Sequence, residues 1–163
     1  MLIVQKFGGT SVGDCERIQN IAKRVIETKQ SGAKLVVVVS AMSGETDKLI
    51  GYTKHFSALP NERESDKVLS TGETVTSALL AIALNEFGFK AVSMSGRVAG
   101  IHTDSVHTKA KIQDIDTSTI FKHLDEDYIV VVAGFQGVGD DGFITTLGRG
   151  GSDLSAVALA GAL

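Results

Sequence analysis

The sequence predicts an α/β fold in which a largely parallel sheet is covered by helices on both faces. Two observations lead there. Leu35 to Val39 and Tyr128 to Val132 are apolar, valine-rich runs without alternation, the pattern of strands buried on both sides. Segments of helical periodicity separate the strand-like runs, so successive strands need crossover connections, which favour parallel pairing. Ligands of such sheets bind beyond the carboxyl ends of the strands. The turns after Phe7, Val39, Met94 and Ala133 are therefore expected to meet along one edge.

Leu2 to Val4 open the first strand, which delivers Lys6, Phe7, Gly8, Gly9, Thr10 and Ser11 at its end. A helix follows. Ile18, Ile21, Ala22 and Val25 fall at i, i+3, i+4 and i+7 and form one apolar face, with Arg17, Lys23, Arg24 and Glu27 toward water. Ser11 or Asp14 can cap its start, and Gly32 lies past its end. After the Leu35 to Val39 strand, the turn from Ser40 to Thr46 leads into a helix from about Asp47 to Phe56. Pro60 and Asn61 punctuate the chain before another mostly helical region, and the polar stretch from Asn61 to Lys67 reads as a solvated face or loop.

Behind Ser70, Thr71, Gly72 and Glu73 comes the most apolar helix. Val75, Ala78, Leu79 and Ile82 make one stripe, while Leu80, Ala81, Ala83, Leu84 and Phe87 cover other faces, which predicts burial nearly all round; Gly88 ends it. Ala91 to Met94 is a further strand, followed by a less regular stretch through Gly100 and Asp104. An extended segment within Lys109 to Asp114, a short helix over Ser118 to Leu124 and a solvated acidic turn at Asp125, Glu126 and Asp127 precede the Tyr128 strand. Gly134 to Gly142 reads as a loop, Phe143 to Thr146 as a short returning strand, and a last helix begins near Ser152.

With 163 residues, 43% of them hydrophobic and 21% charged, the chain is long enough for one domain with a substantial core. A net charge of -3 supplies no basic field, which argues against general nucleic-acid binding, so any anion site must be local. The single cysteine, Cys15, cannot form an internal disulfide and reads as a helix residue. His55, His102, His107 and His123 lack metal-ligand spacing, so no metal site is expected from protein ligands. A reducing, cytoplasmic setting fits this usage, and neither an export signal nor a membrane span is evident.

Two stretches can carry chemistry. Lys6 with Gly8 and Gly9, between a strand and a helix, offers a positive charge beside exposed N–H groups and suits a phosphate. The lysine precedes its glycines, unlike the phosphate loop in which it follows them, and the plain alternative is a tight strand-to-helix turn. The second stretch, Thr145 to Asp153, sets Gly148, Gly150 and Gly151 around Arg149 just before a helix. A guanidinium held there offers paired donors to a carboxylate, the alternative being a solvated loop. Ser70 and Glu73 have the spacing of a capping box.

KFGGTS at the start, SAMSGETDKL at 40–49, STGE at 70–73, AGFQG at 133–137 and TLGRGGSDLSA at 146–156 together resemble the aspartate kinases of the amino-acid kinase family. The resemblance implies a three-layer αβα sandwich and transfer of the ATP γ-phosphoryl group to the β-carboxylate of L-aspartate, the entry to lysine, threonine and methionine synthesis. It implies that Lys6, Phe7, Gly8, Gly9 and Ser11 hold the nucleotide phosphates, with Asp153 orienting Lys6. Arg149 would grip the α-carboxylate of aspartate and Glu73 its ammonium group. Ser40 and Thr46 would line the substrate pocket, completed by Ser152 and the N–H groups of Gly150 and Gly151. Mg²⁺ would be bound through the ATP phosphates and water. By the same resemblance, residues 1–163 are an N-terminal portion of the kinase domain, lacking its second half and the ACT regulatory domains. Such a portion is expected to be inactive or weakly active alone, and the enzyme to be a homo-oligomer. The alternatives are another amino-acid kinase or a non-catalytic ligand-binding module of the same fold.

Overall fold

The computed structural model describes all 163 residues. In chain order the elements are β1 (Leu2–Phe7), α1 (Cys15–Gln30), β2 (Lys34–Val39), α2 (Glu45–Phe56), α3 (Glu62–Leu69), α4 (Thr71–Glu86), β3 (Ala91–Met94), β4 (Ile101–Thr103), β5 (Ile112–Ile115), α5 (Ser118–Asp125), β6 (Ile129–Ala133), β7 (Gln136–Val138), β8 (Ile144–Thr146) and α6 (Gly151–Ala162). The main sheet has the order β1-β2-β6-β3, all parallel. A second sheet, β5-β4-β7-β8, is mixed, with antiparallel β4–β5 and β7–β8 pairs around a parallel β4–β7 contact.

Strand period two divides the main sheet into two cores. Phe7, Leu35, Val37, Val39, Ile129 and Val131 pack with Ile18, Ile21, Ala22 and Val25 of α1 and Leu80, Ala81 and Leu84 of α4. On the opposite face Val36, Val38, Val130 and Val132 meet Ile120 and Leu124 of α5 and Leu159 of α6. The chain is thus a helix–sheet–helix sandwich. Asp14 caps α1 by accepting the N–H of Arg17, and Lys34–Asp125 and Lys29–Asp127 ion pairs tie the acidic turn to both ends of the α1–β2 connection.

Three expectations need correction. Residues 61–67 belong to the expected helical region and not to a loop, and they are not wholly solvated: Asn61 accepts the Glu64 N–H and starts α3, which buries Ser65 and Asp66. Polar composition hid this, because the carboxylate of Asp66 is satisfied from distant segments. Burial of α4 is not all round: its apolar stripe is exposed at both ends, Val75 51% and Ile82 63%, with Leu79 half-buried against the core, and the buried face is Glu73, Thr76, Ser77, Leu80, Ala81 and Leu84. A helix apolar on most sides gives no phase, and the hydroxyls of Thr76 and Ser77 bury because they bond to the backbone of their own helix. The capping box does not form. Ser70 has helical dihedrals and donates its hydroxyl to Lys67, so α3 passes into α4 almost without a break. Together Glu62–Glu86 are long and apolar enough to cross a membrane, yet half of the apolar window is buried, as in a core helix.

Strands β4 and β7 fall in stretches read as irregular, being three residues each and built around buried Thr103 and Gln136. Gly51 sits inside α2 with nothing within 4 Å of where a Cβ would lie. Gly51→Ala is expected to stabilise the fold by about 0.5–1 kcal/mol, because the folded helix accommodates the methyl while the unfolded chain loses freedom; urea titration checks it.

Candidate active site

The carboxyl ends of the main-sheet strands open into a cavity of about 790 Å³. Its wall comes from the β1–α1 turn (Gly9, Thr10), the β2–α2 turn (Ser40 to Gly44), the start of α2 (Thr46, Asp47), Glu73 of α4, and the β8–α6 segment (Thr146, Gly148 to Ser152). The first turns of α2 and α6 border it, so two sets of helical N–H groups present partial positive charge to whatever it holds, while Glu73 enters from α4. Left-handed backbone at Gly44 and Gly150 immediately precedes α2 and α6. Gly9 lets two turns meet, since a Cβ there would lie 3.1 Å from the Ala41 carbonyl oxygen. Gly151 is tighter, because its Cβ would meet the Phe135 ring at 2.6 Å.

Lys6 is placed by strand alternation. Leu2 and Val4 face the α5/α6 layer, so Lys6 emerges on that side at the end of β1, under the start of α6. There its Nζ lies 2.7 Å from Asp153 Oδ1. The N–H groups of Gly8 and Gly9 take no backbone acceptor and remain open beside it. Lys6 and Asp153 do not line the cavity themselves but adjoin it through Ser152, whose hydroxyl bonds to that of Ser40 at 2.7 Å. Lys6 and the Arg149 loop thus share one edge of the molecule.

Two residues expected in the phosphate segment lie elsewhere. The Phe7 ring is buried in the α1/α4 core, with the Arg24 guanidinium 5.5 Å above it, because alternation turns it away from Lys6. Ser11 donates its N–H to Gly8 and lines a separate recess with Arg17 and Arg24.

Ser40, Thr46, Glu73, Arg149, Gly150, Gly151 and Ser152 all border the cavity. Arg149 is exposed and enters none of the chain's ion pairs. Glu73 is the opposite case, 4% exposed, with one oxygen accepting the Ala41 N–H at 3.2 Å and the other, Oε2, without any partner. Burial pushes its pKa up to about 7, against the opposing effect of N–H groups at Glu73 and Ala41. A cation arriving beside Oε2 would restore the charge and the missing partner. No group of three His, Cys, Asp or Glu side chains is arranged to hold a metal ion.

Two buried polar side chains to which the sequence assigned no role stand behind the wall. Asp66, fully buried, receives the Thr146 hydroxyl at 2.5 Å, the Thr108 N–H at 3.0 Å and a ring nitrogen of His107 at 2.8 Å. Gln136 donates to the Ser70 carbonyl from the far side.

The amino acid kinase family profile matches residues 1–163. Aspartokinase from Helicobacter pylori (strain ATCC 700392 / 26695) is 60% identical over 163 residues, all of this chain and 40% of its own length. Aspartokinase from Geobacillus stearothermophilus is 60% identical over 162 residues, 99% of this chain and 40% of its own. The chain therefore spans about two fifths of the length of these relatives. Among solved structures, aspartate kinase from Synechocystis superposes with a TM-score of 0.85 at 49% identity, covering 98% of this chain and 26% of that one. Aspartokinase III of E. coli in complex with aspartate and ADP gives 0.89 at 23% identity, over 99% of this chain and 47% of that one, a likeness of fold. With every residue matched by one family profile and the sandwich shared with these structures, the chain belongs to the amino acid kinase family.

Proposed function

We propose that these residues form the amino-acid side of an aspartate kinase and present the β-carboxylate of L-aspartate to the γ-phosphoryl group of ATP. The observation that carries this reading is a buried carboxylate oxygen without a partner, Glu73 Oε2, in the same cavity as the unpaired guanidinium of Arg149. An α-amino acid needs that combination, an acceptor for its ammonium group and a bidentate donor for its α-carboxylate. The names of the relatives and the aspartate and ADP held by the E. coli enzyme agree with it.

The chemistry asks little of a base. A side-chain carboxyl with an ordinary pKa of about 3.9 is ionised near neutrality and can attack directly. Its oxygen forms a bond to the γ-phosphorus, the bond to the β–γ bridging oxygen breaks, and ADP leaves. The site must align two anions and neutralise the moving phosphoryl group. Lys6 and the open N–H groups of Gly8 and Gly9 provide this, with Asp153 fixing the ammonium end of Lys6. Mg²⁺ would screen the phosphates while held mainly by them and by water. The same reading places the enzyme in the cytoplasm at the head of lysine, threonine and methionine synthesis, as a homo-oligomer.

Calorimetry on the full-length gene product tests the assignment. Arg149→Ala is expected to weaken L-aspartate binding by about 10- to 100-fold, the worth of a charge-assisted bidentate contact. Succinate, which lacks the ammonium group, is expected to bind poorly to the wild type. Equal affinity of wild type and variant for L-aspartate, or of the wild type for succinate and L-aspartate, would contradict the reading.

A further inference from the structure

Outside the charged groups of the cavity, one network of titratable side chains stands behind its wall. Asp66 of α3 is fully buried and does not line the cavity, nor does His107. Both oxygens of Asp66 lie 3.0 Å from the Thr108 N–H, and Oδ1 also accepts the Thr146 hydroxyl. His107 Nδ1 bonds to Asp66 at 2.8 Å, while its Nε2 reaches Asp141, in the β7–β8 turn, at 3.1 Å. One imidazole thus joins α3, the β4–β5 loop and the β7–β8 turn.

Thr108 and Thr146, the two residues this network grips, do line the cavity. Thr108 is β-branched yet has a φ of +69°, a conformation that persists only where surrounding contacts enforce it. Its carbonyl oxygen is packed against Gly148, since a Cβ there would lie 3.5 Å away, so Thr108 backs the loop that carries Arg149. Thr146 opens that same loop, and its carbonyl accepts the Ala110 N–H at 2.9 Å.

We propose that Asp66 and His107 act as positioning residues that hold Thr108, Thr146 and hence the Arg149 loop in the geometry that receives the amino acid. The proposal rests on the amino-acid-binding reading above and extends it to groups that never touch the ligand. It also predicts sensitivity to alkali. Burial disfavours the imidazolium, but the two carboxylates outweigh it and raise the His107 pKa above its ordinary 6.5. The charged groups facing the ring are Asp66 from α3 and Asp141 from the turn; Asp104 on its own loop is occupied by the N–H groups of Val106 and Lys111. As pH rises through that raised value, the doubly donating imidazolium loses one proton and with it one of the two carboxylate contacts.

Steady-state kinetics of the full-length gene product with L-aspartate and ATP provide the test, using His107→Ala and Asp141→Asn, which alter the partly exposed end of the network. For His107→Ala the expected result is a KM for L-aspartate raised about 5- to 20-fold, with the KM for ATP within twofold of wild type. The variant-to-wild-type ratio of kcat/KM for L-aspartate should climb toward one as pH rises from 6 to 9, because the wild type loses there what the variant already lacks. Asp141→Asn should give a smaller shift of the same kind. An unchanged KM for L-aspartate in a folded His107→Ala protein, equal changes in both KM values, or a ratio flat with pH would overturn the proposal while leaving the amino-acid site intact. Wild-type protein that fails to bind L-aspartate would overturn both.

Discussion

Lys6→Ala in the full-length gene product is expected to lower kcat about 100- to 1,000-fold while the unfolding midpoint stays within a degree or two of wild type. The rate figure is that of removing one preorganised donor from developing negative charge. The stability figure follows from exposure. Asp153 is 69% exposed, so its ion pair with Lys6 is screened by water and contributes at most about 1 kcal/mol. The stem of Lys6 lies at the end of β1, and the apolar neighbours on its face of the strand are Leu2 and Val4. A helix-capping role for Asp153 separates from an orienting one in the same assay. Asp153→Asn keeps a side-chain acceptor at the first turn of α6, so capping alone predicts unchanged turnover, whereas loss of the Lys6 partner predicts a fall. Near-normal kcat in Lys6→Ala would remove lysine from the phosphoryl-transfer step.

How much could be read beforehand differs between the sheet and the site wall. The main-sheet strands and the α1 face were legible because valine-rich runs and a clean i, i+3, i+4 pattern have no competing interpretation. The phase of α4 was not, since apolar residues on most sides leave the tertiary contacts to choose the buried face. Among site residues, Lys6 with the glycines that follow it and the glycine-flanked Arg149 were legible from local composition, Ser40 and Thr46 through the family resemblance, and they converge on one edge. Phe7 and Ser11 were grouped with Lys6 through the KFGGTS resemblance, and alternation along β1 and the turn after it carry their side chains to other surroundings. Asp66 left no trace. It lies in a run of charged residues that looks solvated, and its partners are 41 to 80 residues away in sequence. Only the folded contacts show that its charge is satisfied internally.

Glu73→Gln is expected to make the protein more stable above neutrality while weakening its grip on the amino acid, and the sign follows from where the proton sits. In the unfolded chain Glu73 titrates at its ordinary value of 4.5, and in the folded protein at about 7. Between those values the folded state holds a proton that the unfolded state has lost. Stability contributed by the protonated form is therefore complete below about pH 4.5 and disappears as pH rises through 7. At about 1.4 kcal/mol per pH unit the difference amounts to about 3 kcal/mol, for a side chain buried deeply enough that water screens little of it. Glutamine preserves an acceptor for the Ala41 N–H and carries no charge to desolvate, so urea midpoints of wild type and variant should diverge between pH 5 and 8 in favour of the variant. His107 loses stability over a similar range in both proteins, and the difference between the two curves cancels it. Ligand binding should run the other way. Wild-type affinity for L-aspartate is expected to fall as pH drops below 7, where Oε2 acquires a proton and no longer attracts an ammonium group, whereas Glu73→Gln binds weakly at every pH. Parallel stability curves would show that the Glu73 carboxyl titrates normally, and an unchanged L-aspartate KM in the variant would remove it from the substrate site.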